Sequence, residues 1–314
     1  MKFRTVLKGA ASPIQINHHS KVLFMGSCFA ENIGKAMVDR KFTTLINPLG
    51  ISYNPISIAK NIAAIAECKT IIPADIHSKN GSFFHYDYHG SNNTSTAISY
   101  ADQINESLKS AHDFLQSTDY LFVSLGTAHV FSHEEKGVVN NCHKMPNDLF
   151  TRRLLKMEEI VSALQRIKTL VSKVNNRIKI VFTVSPIRHV RDGLVADRRS
   201  KSMLIAALTE VIDDKDIFYF PSYELLIDDL RDYRFYKEDL IHPSDQAISY
   251  IWEYFSSCYF SENTLSTLQK VEKILAMQQH KILNPSSEEA EAFKTKIKEH
   301  ISAISDSIPS DRWV

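Results

Sequence analysis

Four short apolar runs, each breaking into small or polar residues, constrain this chain more than any other feature. They are Lys21-Val22-Leu23-Phe24-Met25, Tyr120-Leu121-Phe122-Val123-Ser124-Leu125, the stretch 177–184, and Ile217-Phe218-Tyr219-Phe220. A fifth, weaker run, Thr43-Thr44-Leu45-Ile46, follows the first. The runs are apolar throughout rather than alternating, as strands covered on both faces are. Apolar residues at helical spacing lie between them, at about 28–39, 56–66, 102–115, 150–174 and 199–212, and shorter helices are read at 222–230 and 244–258. Strands alternating with helices predict an α/β fold around a mostly parallel sheet. Such sheets carry their ligand site beyond the carboxyl ends of the strands. Gly26-Ser27, the loop 47–54, Gly126-Thr127, Ser185-Pro186 and the loop 239–242 are all expected there.

Two of these loops hold reactive side chains. After the first strand comes Gly26-Ser27-Cys28. Glycine allows a sharp turn, and the next residues open a helix whose free N–H groups and dipole favour an anion. A thiol there is expected to lose its proton more easily, and a serine there is placed to attack once a base activates it. Asp239 stands three residues before His242, ahead of a helix that Pro243 or Ser244 starts. In a turn the carboxylate can fix the imidazole tautomer, leaving the other ring nitrogen to face a nucleophile. Ser27 or Cys28 with His242 and Asp239 is therefore the inventory of acyl-transfer chemistry. Donors for the oxyanion are sought at the first turn, at Gly50 and at Gly126-Thr127-Ala128.

Other polar groups are weighed against this set. In 83–89, strict alternation puts His85, Asp87 and His89 on one face of a strand, which reads as pocket lining or a half-exposed face, because further metal ligands are not evident. Ser185-Pro186-Ile187-Arg188-His189, with Asp192 beyond, is the rival acid–base pair; it offers Arg188 or His189 to a polar substrate, or is a plain surface loop. Tyr233-Arg234-Phe235-Tyr236 is expected to pack beside the His242 loop. No phosphate-binding loop and no G-x-G-x-x-G run occurs, which argues against nucleotide binding.

The formal charge of +1 over 314 residues supplies no global field for nucleic acid or acidic lipid. Four cysteines are scattered without zinc spacing, and three of them read simply as free thiols in a reducing compartment. No signal-peptide pattern opens the numbering and no apolar run is long enough to cross a bilayer, so a cytoplasmic location is the expectation. The tail, 261–314, differs in pattern from 1–260. Apolar residues at 265, 268, 271, 275 and 282 form one stripe, Asn284-Pro285 breaks it, and Ser286 with Glu289 signals a new helix. A second stripe runs through Ala290, Phe293, Ile297, Ile301, Ile304 and Ile308. This predicts a helical hairpin with one apolar seam, packed on the main domain or offered to a second copy of the chain.

The run Gly26-Ser27-Cys28-Phe29-Ala30 resembles the signature of the GSCFA family. So do Asn47-Pro48-Leu49-Gly50 through Tyr53-Asn54-Pro55, Leu125-Gly126-Thr127-Ala128, Asn141-Cys142-His143-Lys144, Ser185-Pro186 through His189, and 231–243. The resemblance covers about 1–260 and omits the tail. That family is similar to the SGNH (GDSL-like) hydrolases, which implies a three-layer α/β/α sandwich with a flavodoxin-like sheet and an esterase or acyltransferase site. Laid on Gly26 without a gap, the superfamily's Gly-Asp-Ser motif puts Cys28 over the nucleophile, and a one-residue slip puts Ser27 there. Asp239 and His242 match its last motif. The oxyanion glycine corresponds to Gly50, and the oxyanion asparagine falls on Ala128, for which Asn47, Asn54, Thr127 or His129 would substitute.

Together these readings predict an enzyme acting on an ester, by analogy an O-acyl group on a carbohydrate, with no cofactor and no metal. Asn47, Asn54, His129, His143, Arg188 and His189 are the expected substrate contacts. The alternative is a catalytically impaired protein of the same fold that binds a small ligand such as a carbohydrate.

Overall fold

In a computed structural model, which describes residues 4–9, 12–280 and 287–313, the five runs become one parallel sheet. The elements in chain order begin with β1 (Lys21–Gly26), α1 (Cys28–Asp39), β2 (Thr43–Ile46) and α2 (Pro55–Ala66). A hairpin, β3 (His77–Lys79) and β4 (Ser82–Phe84), leads to α3 (Ala97–Leu115) and β5 (Tyr120–Leu125). Three short strands follow, β6 (His129–His133), β7 (Gly137–Val139) and β8 (Phe150–Leu154), then α4 (Met157–Val174), β9 (Lys179–Val184) and α5 (Leu194–Thr209). The chain continues through β10 (Ile217–Tyr219), the short α6 (Ser222–Glu224) running into a π-helical turn (Leu225–Leu230), α7 (Asp245–Tyr259), α8 (Glu262–Gln279) and α9 (Glu288–Ser302).

The sheet order is β10-β9-β5-β1-β2, every pair parallel. Taken by their sequence rank among the five, the strands run 2-1-3-4-5, the flavodoxin-like order, whose switch point lies between β1 and β5. Side chains alternate between two apolar layers, as a pleated strand requires. Leu23, Met25, Leu121, Val123, Ile180 and Phe182 face one core with α2 to α5. Val22, Phe24, Phe122, Val181 and Phe218 face the other, against Phe29, Ile33 and Met37 of α1 and Ile251, Trp252 and Phe255 of α7. This is the expected three-layer sandwich. Each fully buried side chain of this size contributes about 1.5–3 kcal/mol.

Two stretches depart from the sequence reading. The segment read as one helix over 150–174 begins as β8, which pairs antiparallel with β6. Helix α4 starts only at Met157, where Glu159 accepts the Lys156 N–H at 2.9 Å and pairs with Arg153 at 2.7 Å. The helical apolar stripe belongs to 160–171 alone, and Phe150 is not part of it. The strand read over 83–89 ends at Phe84. Residues 85–88 form a turn, with the Tyr88 N–H donating to the His85 carbonyl at 3.1 Å. His85, Asp87 and His89 therefore share no face. Asp87 pairs with Lys60 at 3.0 Å, while His89 accepts the Ser91 N–H.

The tail forms the expected hairpin and rests on the main domain. Leu265 and Leu268 join the α1–α7 core, Arg40 pairs with Glu272 at 2.8 Å, and Arg312 donates to the carbonyls of His18 and Lys41. Val271, Ile274, Ile304 and Ile308 close its seam, so the seam is filled by the chain itself. The N-cap of α9 is Ser287, whose hydroxyl accepts the Ala290 N–H. The expected break at Asn284-Pro285 and the expected cap at Ser286 lie outside the described residues, as does Ile282. No described helix is long and apolar enough to cross a membrane.

Candidate active site

The turn after β1 is built by Gly26. Its φ is +120°, and a Cβ there would stand 2.1 Å from the Ser124 carbonyl oxygen on β5. Only glycine fits so close to the neighbouring strand. Ser27 then turns inward. It is 2% exposed, its hydroxyl lies 2.8 Å from that of Ser124, and it accepts the Phe29 N–H as the N-cap of α1. Cys28, the first residue of α1, stays half-buried at the sheet edge, with Sγ 3.9 Å from the Tyr53 hydroxyl. As the first helical residue it has no carbonyl one turn earlier inside the helix, so its N–H is free of the helical ladder. The expectation of an easily ionised thiol is not met. Burial pushes the Cys28 thiol up, against the lowering effect of Tyr53, and Glu31 adds to the rise.

The expected oxyanion donors on the facing loops are already engaged. The Gly50 N–H donates to the Asn47 carbonyl at 2.7 Å. Gly126 and Thr127 both donate to the Tyr53 carbonyl, at 2.7 and 3.0 Å, and Ala128 donates to the Ser200 hydroxyl at 2.7 Å. Gly50 serves the turn instead: its φ is +81°, and a Cβ there would meet that of His89 at 2.4 Å. Asn47 and Asn54 are structural as well. The Asn47 side chain accepts the Gly26 N–H at 2.8 Å, which fixes the β1 turn, and Asn54 caps α2 through the Ser57 N–H at 2.9 Å.

One face of α5, which the sequence reading missed, locks these loops. Asp197, Ser200 and Lys201 are all buried. Lys201 is 1% exposed, and its ammonium donates to the carbonyls of Gly126 at 2.6 Å, Ser185 at 2.7 Å and Ile187 at 3.0 Å. All three ammonium donors are thereby used, and the carboxyl ends of β5 and β9 are held on one cation. Burial still lowers the Lys201 pKa to about 8. Ser200 bonds the Thr127 hydroxyl at 3.0 Å, and Asp197 accepts the His189 N–H at 3.0 Å. The signal in the sequence was a lysine on the helical stripe shared with Leu204 and Leu208.

The second reactive loop has the local form expected of it. Asp239 Oδ1 accepts the N–H groups of Ile241 and His242, each at 2.9 Å, while Oδ2 lies 2.6 Å from His242 Nδ1. Those contacts, the backbone one foremost, hold the Asp239 carboxyl down to about 2. His242 is 43% exposed, and its Nε2 has no hydrogen-bond partner among the described residues. Arg188 ties this loop to the end of β9: its N–H donates to the Ile241 carbonyl at 3.4 Å and its guanidinium to the Leu240 carbonyl at 3.0 Å. His189 next to it lies 6.1 Å, ring to ring, from Tyr53. Cys28 and Ser27 follow the carboxyl end of β1, and Arg188 and His189, to which the 239–242 loop is tied, follow that of β9. Cys28 and His242 share no hydrogen bond.

The remaining expected contacts divide. His129 opens β6 near Thr127, and burial lowers its pKa. His143 is elsewhere, stacked on Phe84 at 4.2 Å and bonded through Nε2 to the His85 carbonyl, with its pKa lowered to about 4 by burial. Tyr233 and Tyr236 do sit beside the His242 loop, with the Arg188 guanidinium 5.0 and 4.1 Å from their ring centres. They line a cleft of about 530 Å³ that Arg188 enters from the β9 end.

A family model described as the GSCFA family matches residues 21–255, and the chain belongs to that family. No curated protein matches it. Among solved structures, a carbohydrate esterase family 3 from Talaromyces cellulolyticus is 9% identical over 81% of this chain and 99% of its own, at a TM-score of 0.37. An acetyl xylan esterase from the rumen bacterium Butyrivibrio proteoclasticus is 12% identical over 81% of this chain and 66% of its own, at 0.36.

Proposed function

We propose that this member of the GSCFA family is an ester hydrolase or acyltransferase whose nucleophile is Cys28, whose base is His242 and whose orienting acid is Asp239. The observation that carries the reading is the 2.6 Å contact between Asp239 Oδ2 and His242 Nδ1. It holds the imidazole with Nε2 unengaged, on a loop tied through Arg188 to the carboxyl end of β9, while Cys28 follows the carboxyl end of β1. Ser27 is set aside because its hydroxyl is buried and committed to Ser124 and to the helix cap.

In the proposed reaction His242 Nε2 takes the Cys28 proton, and the thiolate adds to the ester carbonyl. The oxyanion faces the Cys28 N–H. The C–O bond to the alcohol then breaks, and the imidazolium returns the proton to the leaving oxygen. Water or a second alcohol, deprotonated by His242, attacks the thioester; the C–S bond breaks, the acid or a new ester leaves, and the imidazolium returns its proton to the Cys28 thiolate. A thiol whose pKa is raised by burial needs such a base at neutral pH. The reading requires the bound ester to draw the half-exposed His242 loop toward the thiol, because the two are not hydrogen bonded in the free protein. The substrate proposed is an O-acyl carbohydrate, which the tyrosine- and arginine-lined cleft beside His242 suits.

Turnover of p-nitrophenyl acetate tests this. Cys28→Ala and His242→Ala are expected to abolish it, and unchanged turnover in His242→Ala overturns the mechanism. A second reading, a binder without turnover, is favoured by the engaged N–H groups of Gly50, Gly126 and Thr127. Saturable binding of an acylated sugar with no ester cleavage would select it.

A further inference from the structure

We infer that the cleft beside the His242 loop binds an oxyanion, a phosphate or carboxylate group carried by the molecule this protein acts on. Arg188, Arg198 and Arg231 line it together with Tyr223, Tyr233 and Tyr236. Among the described residues none of these three arginines lies within ion-pair distance of a carboxylate. Arg40, Arg152 and Arg153 elsewhere on the molecule each do. Two of the cleft arginines are held by rings and neutral oxygens instead. Arg188 lies over Tyr236 and Tyr233 and spends one donor on the Leu240 carbonyl. Arg198 sits 5.4 Å from the centre of the Tyr223 ring and donates to its hydroxyl. Arg231, in the left-handed conformation at φ +40° and exposed, makes no hydrogen bond through its side chain among the described residues.

Three aspartates share the cleft, and two of them are engaged. Asp197 accepts the His189 N–H, and Asp232 accepts the Arg234 N–H with the Arg234 Nε 3.8 Å away. Asp228 is exposed to solvent. Guanidinium groups offer planar forks of donors that match carboxylate and phosphate oxygens, and stacking on tyrosine holds them without consuming the fork. A site of this make-up, with two of its cations positioned on tyrosines and none of the three paired with a carboxylate among the described residues, takes an anion. Arg188 connects it directly to the peptide groups of Leu240 and Ile241, just before His242, so the anion would be bound one loop away from the proposed base. This deepens the proposed function by naming a charged substituent on the ester, and rests on that reading only in placing the anion on the substrate.

Calorimetric titration of the full chain with inorganic phosphate and with D-glucuronate, at fixed ionic strength and with glucose as the neutral control, tests the site without requiring turnover. Saturable binding of either anion and not of glucose is expected. Arg231→Ala, at an exposed side chain, should weaken it about tenfold, the loss of one charge-assisted contact, and Arg198→Ala with Arg231→Ala should weaken it further. No binding of either anion, or equal binding by the double variant verified as folded by circular dichroism, overturns the inference. Hydrolysis of p-nitrophenyl acetate by wild-type protein, measured alongside, separates the two ideas. Anion binding without hydrolysis sustains the site and counts against the enzyme, and hydrolysis without anion binding does the reverse.

Discussion

The hydroxyls of Ser27 and Ser124 face each other at 2.8 Å inside the sheet, one at the end of β1 and one at the end of β5. That contact turns Ser27 away from the edge and leaves Cys28 as the group presented there. It also continues a row of buried hydroxyls: Ser124 is in register with Thr183 on β9, and Thr183 bonds Ser222 at 2.6 Å. The row stitches the carboxyl ends of the strands beneath the proposed site.

Ser27→Ala should keep whatever turnover of the proposed ester substrate the wild type shows and lose about 1 kcal/mol of stability, the usual cost of removing a helix cap. Cys28→Ala should lose activity with little change in stability. Turnover of an aryl ester and urea unfolding, measured on both variants, check the pair. Activity lost in the serine variant and kept in the cysteine variant would reverse the assignment.

Asp239→Asn should lower kcat by roughly two to four orders of magnitude, because an amide no longer fixes the imidazole tautomer or supports its charged form. Anion binding measured by calorimetry should be unaffected, since Asp239 does not line the cleft.

Lys201→Met should destabilise the fold by about 3 kcal/mol, because the Gly126, Ser185 and Ile187 carbonyls lose their shared donor. The pH dependence has a defined sign. The Lys201 pKa falls from 10.5 to about 8 in the folded chain, so between those values the unfolded chain binds the extra proton. This residue's contribution therefore makes wild-type stability rise with pH from about 8 to 10.5, and the stability difference between wild type and Lys201→Met should grow across that interval. Chemical denaturation of both proteins at several pH values measures it.

Two buried histidines predict an acid limb. His18 and His143 are each lowered from 6.5 to about 4, by burial above all. Between those values the unfolded chain takes up protons that the folded chain refuses, so stability falls as pH drops from 6.5 to about 4. His18 is stacked on Phe42 and His143 on Phe84. His18→Gln and His143→Gln should each flatten that slope in thermal unfolding, whatever their effect at neutral pH.

Gly26→Ala should prevent normal folding. The new methyl would stand 2.1 Å from the Ser124 carbonyl oxygen at a φ of +120°, and neither backbone can give way without breaking the β1–β5 ladder. Insoluble expression, or a large drop in melting temperature, is the expected result.

What the sequence determined by itself was whatever depends on neighbours along the chain. Runs such as 21–26, 120–125 and 177–184 announced buried strands, and helical stripes announced the layers. The three-residue spacing of Asp239 and His242 announced their contact, because a turn brings those positions together wherever the loop lies. Local patterning was weakest where strands were short and half-exposed, so β8 was absorbed into the periodicity of α4 and the 85–88 turn passed for a strand. Tertiary structure alone decided the rest. Whether Ser27 or Cys28 faces the edge depends on Ser124, nearly a hundred residues away. The loss of Gly50 and Thr127 as free donors depends on carbonyls from their own and a neighbouring loop, and the role of Lys201 depends on two strand ends meeting over one helix. Hydrogen-bond partners and desolvation are properties of the packed chain. A residue type therefore reveals what chemistry is available, and only the surroundings that folding assembles fix which atoms remain free to perform it.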